Sequence, residues 1–182
     1  MARSATAMRE EILESAARLF ATRGFQGTSL QDIASDVGCA KASLLYHFRN
    51  KDAILAELLA PAGRELAELA ERLAPLDGDE AARAAVAGLV ELSLGFRRQV
   101  KILLQDVDTM INRPELPGLN ESIERLVDSL AGRSDTPEAR VRGWMALVAI
   151  PLTTATGLPV PDETLRAELT RGALRTLDRP LD

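Results

Sequence analysis

Only one histidine, His47, and one cysteine, Cys39, occur in the 182 residues. A multi-histidine metal centre and an intramolecular disulfide are therefore excluded. Cys39 sits where a helix N-terminus lowers a thiol pKa, but a small buried turn residue is the simpler reading. Asp106 and Asp108 stand two apart. On a helix such residues point in different directions and cannot share an ion. Arg97, Arg98 and Lys101 form a short basic run that reads as a solvated surface. No nucleophile–base pair, Gly-rich phosphate loop or metal-ligand spacing stands out, so catalysis has no positive support. What remains is a chain whose polar side chains are placed to bind rather than to catalyse.

The elements that must carry them are helices. The chain is 46% hydrophobic and only 3% aromatic, and it is rich in Ala, Leu, Arg and Glu, which favour helix. No β-branched run alternates for long enough to suggest a sheet. The fold class is all-α with about nine helices. Ile12, Ala16, Leu19 and Phe20 mark the first helix. Thr28 with Gln31, or Ser29 with Asp32, fits a capping box for a second, with Leu30, Ile33 and Val37 inward and Gly38 at its end. A third short helix covers about 40–48, with Leu44 and Phe48 inward. Asn50 caps a fourth, in which Pro61 predicts a bend near Ala60. Further helices carry Val86, Leu89 and Val90; then Val100, Leu103, Leu104, Val107 and Ile111; then Ile123, Leu126, Val127 and Leu130. Thr136-Pro137 opens one holding Val141, Trp144, Met145, Val148 and Leu152. The last holds Leu165, Leu169, Leu174 and Leu177.

The net charge of −5 is uneven. Residues 1–53 carry +1 and the remainder −6. No stretch approaches the roughly 20 apolar residues of a membrane span. The first residues lead directly into Arg9-Glu10-Glu11, without the apolar core of a signal peptide. A cytoplasmic protein with no cofactor is the expectation.

Two short helices across a Gly-containing turn, braced by a preceding helix, are the parts of a helix-turn-helix. The second helix of that motif enters the major groove of DNA N-terminus first. Here that end carries Lys41, Ala42 and Ser43, which are small or extended enough to reach base edges. The run from Gly24 to Ala34, the run Gly38-Cys39-Ala40-Lys41-Ala42-Ser43-Leu44-Leu45-Tyr46-His47-Phe48, and Asn50-Lys51 together resemble the TetR (tetracycline repressor) family of bacterial regulators. The resemblance covers roughly the first fifty-five residues and includes Ile12-Leu13 and Ala16-Ala17-Arg18-Leu19-Phe20. It implies that Gln31, Lys41, Ser43 and Leu45 face bases, with Ala42 beside them. Ser29, Tyr46, His47 and Lys51 would hold phosphates. Hydroxyls and helix N-termini suit phosphate oxygens, and Lys41 suits guanine acceptors. Three positions depart from the family's habit: Ala40 where a serine cap is common, Ala42 for glycine, and Leu45 for tyrosine. The missing cap costs about 1 kcal/mol of helix stability.

The same resemblance divides the chain into a DNA-binding domain over 1–53 and a helical ligand-binding and dimerisation domain over 54–182. It implies a homodimer on palindromic operator DNA, released by a small apolar ligand. For the ligand, the expected lining is Leu103, Leu104, Val107, Ile111, Trp144, Met145 and Val148. A lone tryptophan on an apolar helix also reads as core or as an interface anchor. For the dimer, the resemblance implies a four-helix bundle of the last two helices of each subunit, those holding Trp144 and Leu174, with Leu165, Leu169, Gly172, Ala173 and Leu177 as contacts. The acidic net charge, Ala40 and Leu45 motivate a second reading, a helical small-molecule- or partner-binding protein with weak or lost DNA binding. Activation instead of repression is a third variant.

Overall fold

Why the N-terminal helices stop where they do can be read from their ends. The computed structural model describes residues 5–105, 116 and 118–179. α1 (Ala5–Arg23) is followed by α2 (Leu30–Val37), capped by Ser29. The Ser29 hydroxyl accepts from the Asp32 N–H at 3.1 Å, and the Asp32 carboxylate accepts from the Ser29 N–H at 2.8 Å. Of the two capping boxes compatible with the sequence, this is the one that forms. Gly38 ends α2 at φ 70°, ψ 38°, and its N–H bonds back to the Ala34 and Ser35 carbonyls. A side chain there would be strained, so the turn into the next helix depends on glycine. α3 (Lys41–His47) starts at Ala40, which supplies no side-chain cap. α4 (Lys51–Leu73) is capped by Asn50, whose Oδ1 accepts from the Ala53 N–H at 2.8 Å.

The body follows as α5 (Gly78–Gly95), α6 (Arg97–Leu104), α7 (Leu119–Leu130), α8 (Pro137–Ala155) and α9 (Asp162–Thr176). No strand occurs among the described residues, and none of their helices is long and apolar enough to cross a membrane. The helix expected to hold Val100 through Ile111 is described to Leu104; Val107, Ile111, Asp106 and Asp108 lie outside the described residues.

Two apolar clusters hold these helices. The first joins Ile12, Leu19 and Phe20 of α1 to Ile33, Leu44, Phe48, Ile54, Leu55 and Leu59. Ile102 of α6 reaches into it, so the body contributes to the N-terminal module. The second gathers Leu66, Leu69 and Leu73 with Val86, Leu89, Leu126, Leu130, Ile150 and Leu174. α4 runs through both. The division expected after residue 53 falls in its first turn, whereas the clusters change over between Leu59 and Leu66. Pro61 lies at that changeover, inside an unbroken helical segment. Having no N–H, it leaves the Glu57 carbonyl without its intrahelical donor. Two ion pairs, Arg9 with Glu57 and Arg98 with Glu14 at 2.7 Å, tie α1 to α4 and to α6.

Candidate functional site

α3 owes its position to very little. Leu44 is its one fully buried side chain, and Phe48 just beyond it is buried as well. Everything else on its outward face meets solvent: Lys41, Ala42, Ser43 and Leu45 are exposed, and Tyr46 is 83% exposed. His47 is half-buried, with its ring edge-on to Tyr46 at 5.2 Å. On α2, Ser29 and Gln31 are exposed, and the Gln31 amide donates to Ser35 Oγ at 3.3 Å. The ends of α2 and the outward face of α3 thus present hydroxyl, amide, ammonium and phenol donors on one surface.

The frame beneath this surface is polar and well connected. The Ser15 hydroxyl donates to Asp36 at 2.6 Å. That bond, with the Arg18 guanidinium adding to it, holds the Asp36 carboxyl below the usual carboxylate range. Asp32 is lowered too, first by the Ser29 hydroxyl and then by its backbone N–H.

Lys51 is already engaged within the protomer. Its ammonium donates to the carbonyls of Phe25 at 2.6 Å and Thr28 at 2.8 Å, and lies 4.2 Å from the centre of the Phe25 ring. It holds the α1–α2 connection against the start of α4, an intramolecular use of its charge. Arg49, two residues earlier, is exposed, has no ion-pair partner among the described residues, and went unnoticed in the sequence.

A second feature is a cavity of about 370 Å³ between α4, α6 and α7. Its walls include Leu59, Leu66, Leu92, Val100, Leu103 and Leu119, with Arg64 and Ser122 the only polar side chains among the described lining residues. A third is an outward stripe on α8. Val141, Trp144, Met145, Val148 and Leu152 are all exposed and fall at helical spacing on one face.

Residues 12–58 match the family described as bacterial regulatory proteins, tetR family. Over those residues the chain carries the TetR-family helix-turn-helix. One relative, the biofilm operon icaADBC HTH-type negative transcriptional regulator IcaR of Staphylococcus aureus (strain Newman), is 47% identical over 47 residues, which are 26% of this chain. The chain spans only about a quarter of that relative's length. Among solved structures, the TetR family transcriptional regulator PfmR of Thermus thermophilus aligns at 26% identity with a TM-score of 0.64, covering 92% of this chain and 99% of that one. The ketosteroid transcriptional regulator KstR2 of Mycobacterium tuberculosis shares the fold, at 19% identity and a TM-score of 0.74, over 96% of this chain and 95% of its own.

The residues expected to line a ligand site lie on different surfaces. Leu103 lines the cavity, and Leu104 lies instead in a shallow groove with Lys101 and Leu152. Trp144, Met145 and Val148 point away from it. The reason is packing on α8. Its inward face is Gly143, Ala146, Ile150 and Thr154, and a Cβ on Gly143 would stand 3.1 Å from the Val127 carbonyl. That close approach to α7 keeps the inward side small around Gly143 and Ala146, where the large Trp144, Met145 and Val148 face outward. The residues of α9 expected at a dimer contact differ in exposure. Leu165, Ala173 and Leu177 are buried within the protomer, Leu169 packs partly against the same cluster, and only Gly172 is exposed. The cavity wall on α4 had a sequence signal that was passed over. Ala56, Ala60, Gly63 and Ala67 recur at i, i+4, i+7 and i+11, leaving room on one face.

Ala40 gives a direct test of the recognition helix. Its extended backbone, φ −70° and ψ 144°, is that of an N-cap residue whose side chain does nothing. Ala40→Ser is expected to raise stability by about 0.5–2 kcal/mol, read as a higher midpoint in urea unfolding. An unchanged midpoint would show that the bare start of α3 carries no cost.

Proposed function

We propose that this protein is a transcription repressor that binds palindromic DNA as a homodimer and lets go when a small molecule fills the cavity between α4, α6 and α7. One observation carries the reading: Lys41, Ala42, Ser43, Leu45 and Tyr46 stand exposed on a helix-turn-helix whose other face is buried. In such a motif the N-terminal residues of the second helix meet base edges, while exposed hydroxyls and amides fix the register through phosphates. Ser29, Tyr46, His47 and Arg49 are the phosphate contacts this geometry favours. One module reads too little sequence alone, and two presented by a symmetric pair read a palindrome. The α8 stripe is the surface suited to that pairing.

The test is fluorescence anisotropy with DNA flanking the protein's own gene. Specific binding of about 10⁻⁸ to 10⁻¹¹ M at physiological salt is expected. Lys41→Ala is expected to cost about 1–3 kcal/mol on the preferred site and to relax discrimination at one base pair. Equal affinity for unrelated DNA would overturn the reading.

The uncapped α3 and the net charge of −5 favour the second reading, a helical binding protein with little DNA affinity. That reading is selected if no DNA from the locus is held at low salt while small molecules still bind the cavity.

A further inference from the structure

The cavity is built of Leu, Val and Ala walls with one cation. Arg64 lines it and is exposed, as is Gly118, so the two mark where it meets solvent. Most helical arginines here are engaged: Arg9, Arg18, Arg98, Arg125, Arg140 and Arg166 all pair with carboxylates. Arg64 has no such partner among the described residues, although Glu68 follows one turn later on the same helix. The described lining holds no carboxylate. Ser122 also lines it, 9% exposed, with no side-chain hydrogen bond to any described residue. α7 begins at the cavity with Gly118 as its cap, which has no side chain to occupy the first-turn amides, so its positive end adds to the field. Glu121, in the first turn of α7, opposes this, but its nearby partner is Arg125.

We propose that the cavity takes a monoanionic amphiphile, a carboxylate on a medium-length unbranched apolar chain, with Arg64 pairing the carboxylate. The inference rests on the reading of this cavity as the ligand site and specifies what enters it. A cationic ligand would meet Arg64 with no counter-charge among the described lining residues. A neutral one would gain nothing from the guanidinium at the mouth. A carboxylate satisfies the planar fork bidentately, and the chain removes the leucine walls from water. The volume of about 370 Å³ accommodates on the order of a dozen non-hydrogen atoms at liquid-like packing, the size of decanoate. Ser122 offers a hydroxyl to a second polar atom on the ligand.

Calorimetry on the full chain with decanoate, decanol and decylammonium, each below its micellar concentration, tests this. Decanoate is expected to bind about tenfold more tightly than decanol, in line with a charge-assisted pair worth about 1.5–3 kcal/mol that is partly screened at an open mouth. Decylammonium binds most weakly. Arg64→Gln brings decanoate to the level of decanol and leaves decanol as it was, and Ala60→Phe, which fills the cavity, removes binding of both. Circular dichroism of each variant confirms that it is folded. Equal binding of decanoate and decanol by the wild type, a preference that survives Arg64→Gln, or no binding of any probe overturns the proposal. DNA release is read separately. Decanoate that binds with the stated preference but leaves operator affinity unchanged overturns regulated release and upholds the ligand class.

Discussion

Glutamate at both Trp144 and Val148 is expected to convert a dimer into a monomer that no longer grips a palindrome. Both side chains are exposed on the protomer, at 36% and 48%, and neither belongs to the apolar clusters. The substitution therefore leaves the fold alone, and far-UV circular dichroism should be unchanged. Across a two-fold axis each change occurs twice, so four carboxylates enter one interface. Burying an unpaired charge costs several kcal/mol, which predicts weakening of the dimer by at least about a thousandfold. Sedimentation velocity at micromolar concentration should show the wild type as a dimer and the variant as a monomer. Operator affinity should fall by at least about a hundredfold, because one half-site's base contacts, worth about 1–3 kcal/mol each, are lost. A variant that sediments as a dimer would show that subunits do not meet along α8.

Leu44→Ala is expected to cost about 2–5 kcal/mol, the usual range for emptying a buried leucine site. Leu44 is fully buried, and the seven-residue α3 has no other buried anchor within it. The uncapped start at Ala40 leaves nothing at that end to compensate. The midpoint of urea unfolding should drop accordingly, and amides of α3 should exchange faster than those of α5 and α7. The neighbouring Leu45→Ala serves as the contrast. Leu45 is 43% exposed, so its truncation should stay within about 0.5 kcal/mol in stability and show only as altered DNA preference. Equal stability losses at the two positions would mean that α3 is oriented differently from the arrangement described.

The N-terminal module was legible because its signals are local. The Ser29–Asp32 box, the left-handed Gly38 and the Asn50 cap each act within a few residues, and the structure forms all three. The body was less legible because its sorting is not local. Trp144 and Val148 share a helix with Gly143 and Ala146, and hydrophobicity alone assigns the larger pair to the interior. The decisive fact is the distance between α7 and α8, which the residues of α8 reveal only through how small the inward ones are. Leu165 and Leu177 show the same shortfall: the sequence does not tell that this apolar face packs on its own protomer. The bonds of Lys51 were hidden for another reason. A lysine beside a helix start suits a phosphate, but two backbone carbonyls 26 and 23 residues upstream claim it first.

The course of α4 sets a mechanical ratio. At about 1.5 Å per residue, its 23 residues make a rod roughly 34 Å long. Its middle is a wall of the cavity and its first turns are the floor on which Leu44 and Phe48 rest. A rod pushed at its middle swings at its end: a tilt of about 5° over roughly 20 Å displaces the tip by about 2 Å. That is several times the roughly 0.5 Å spread of hydrogen-bond distances. Under the proposed function, spreading Leu59 and Leu66 from Leu119 by the width of a methylene is then expected to carry Lys41 out of register.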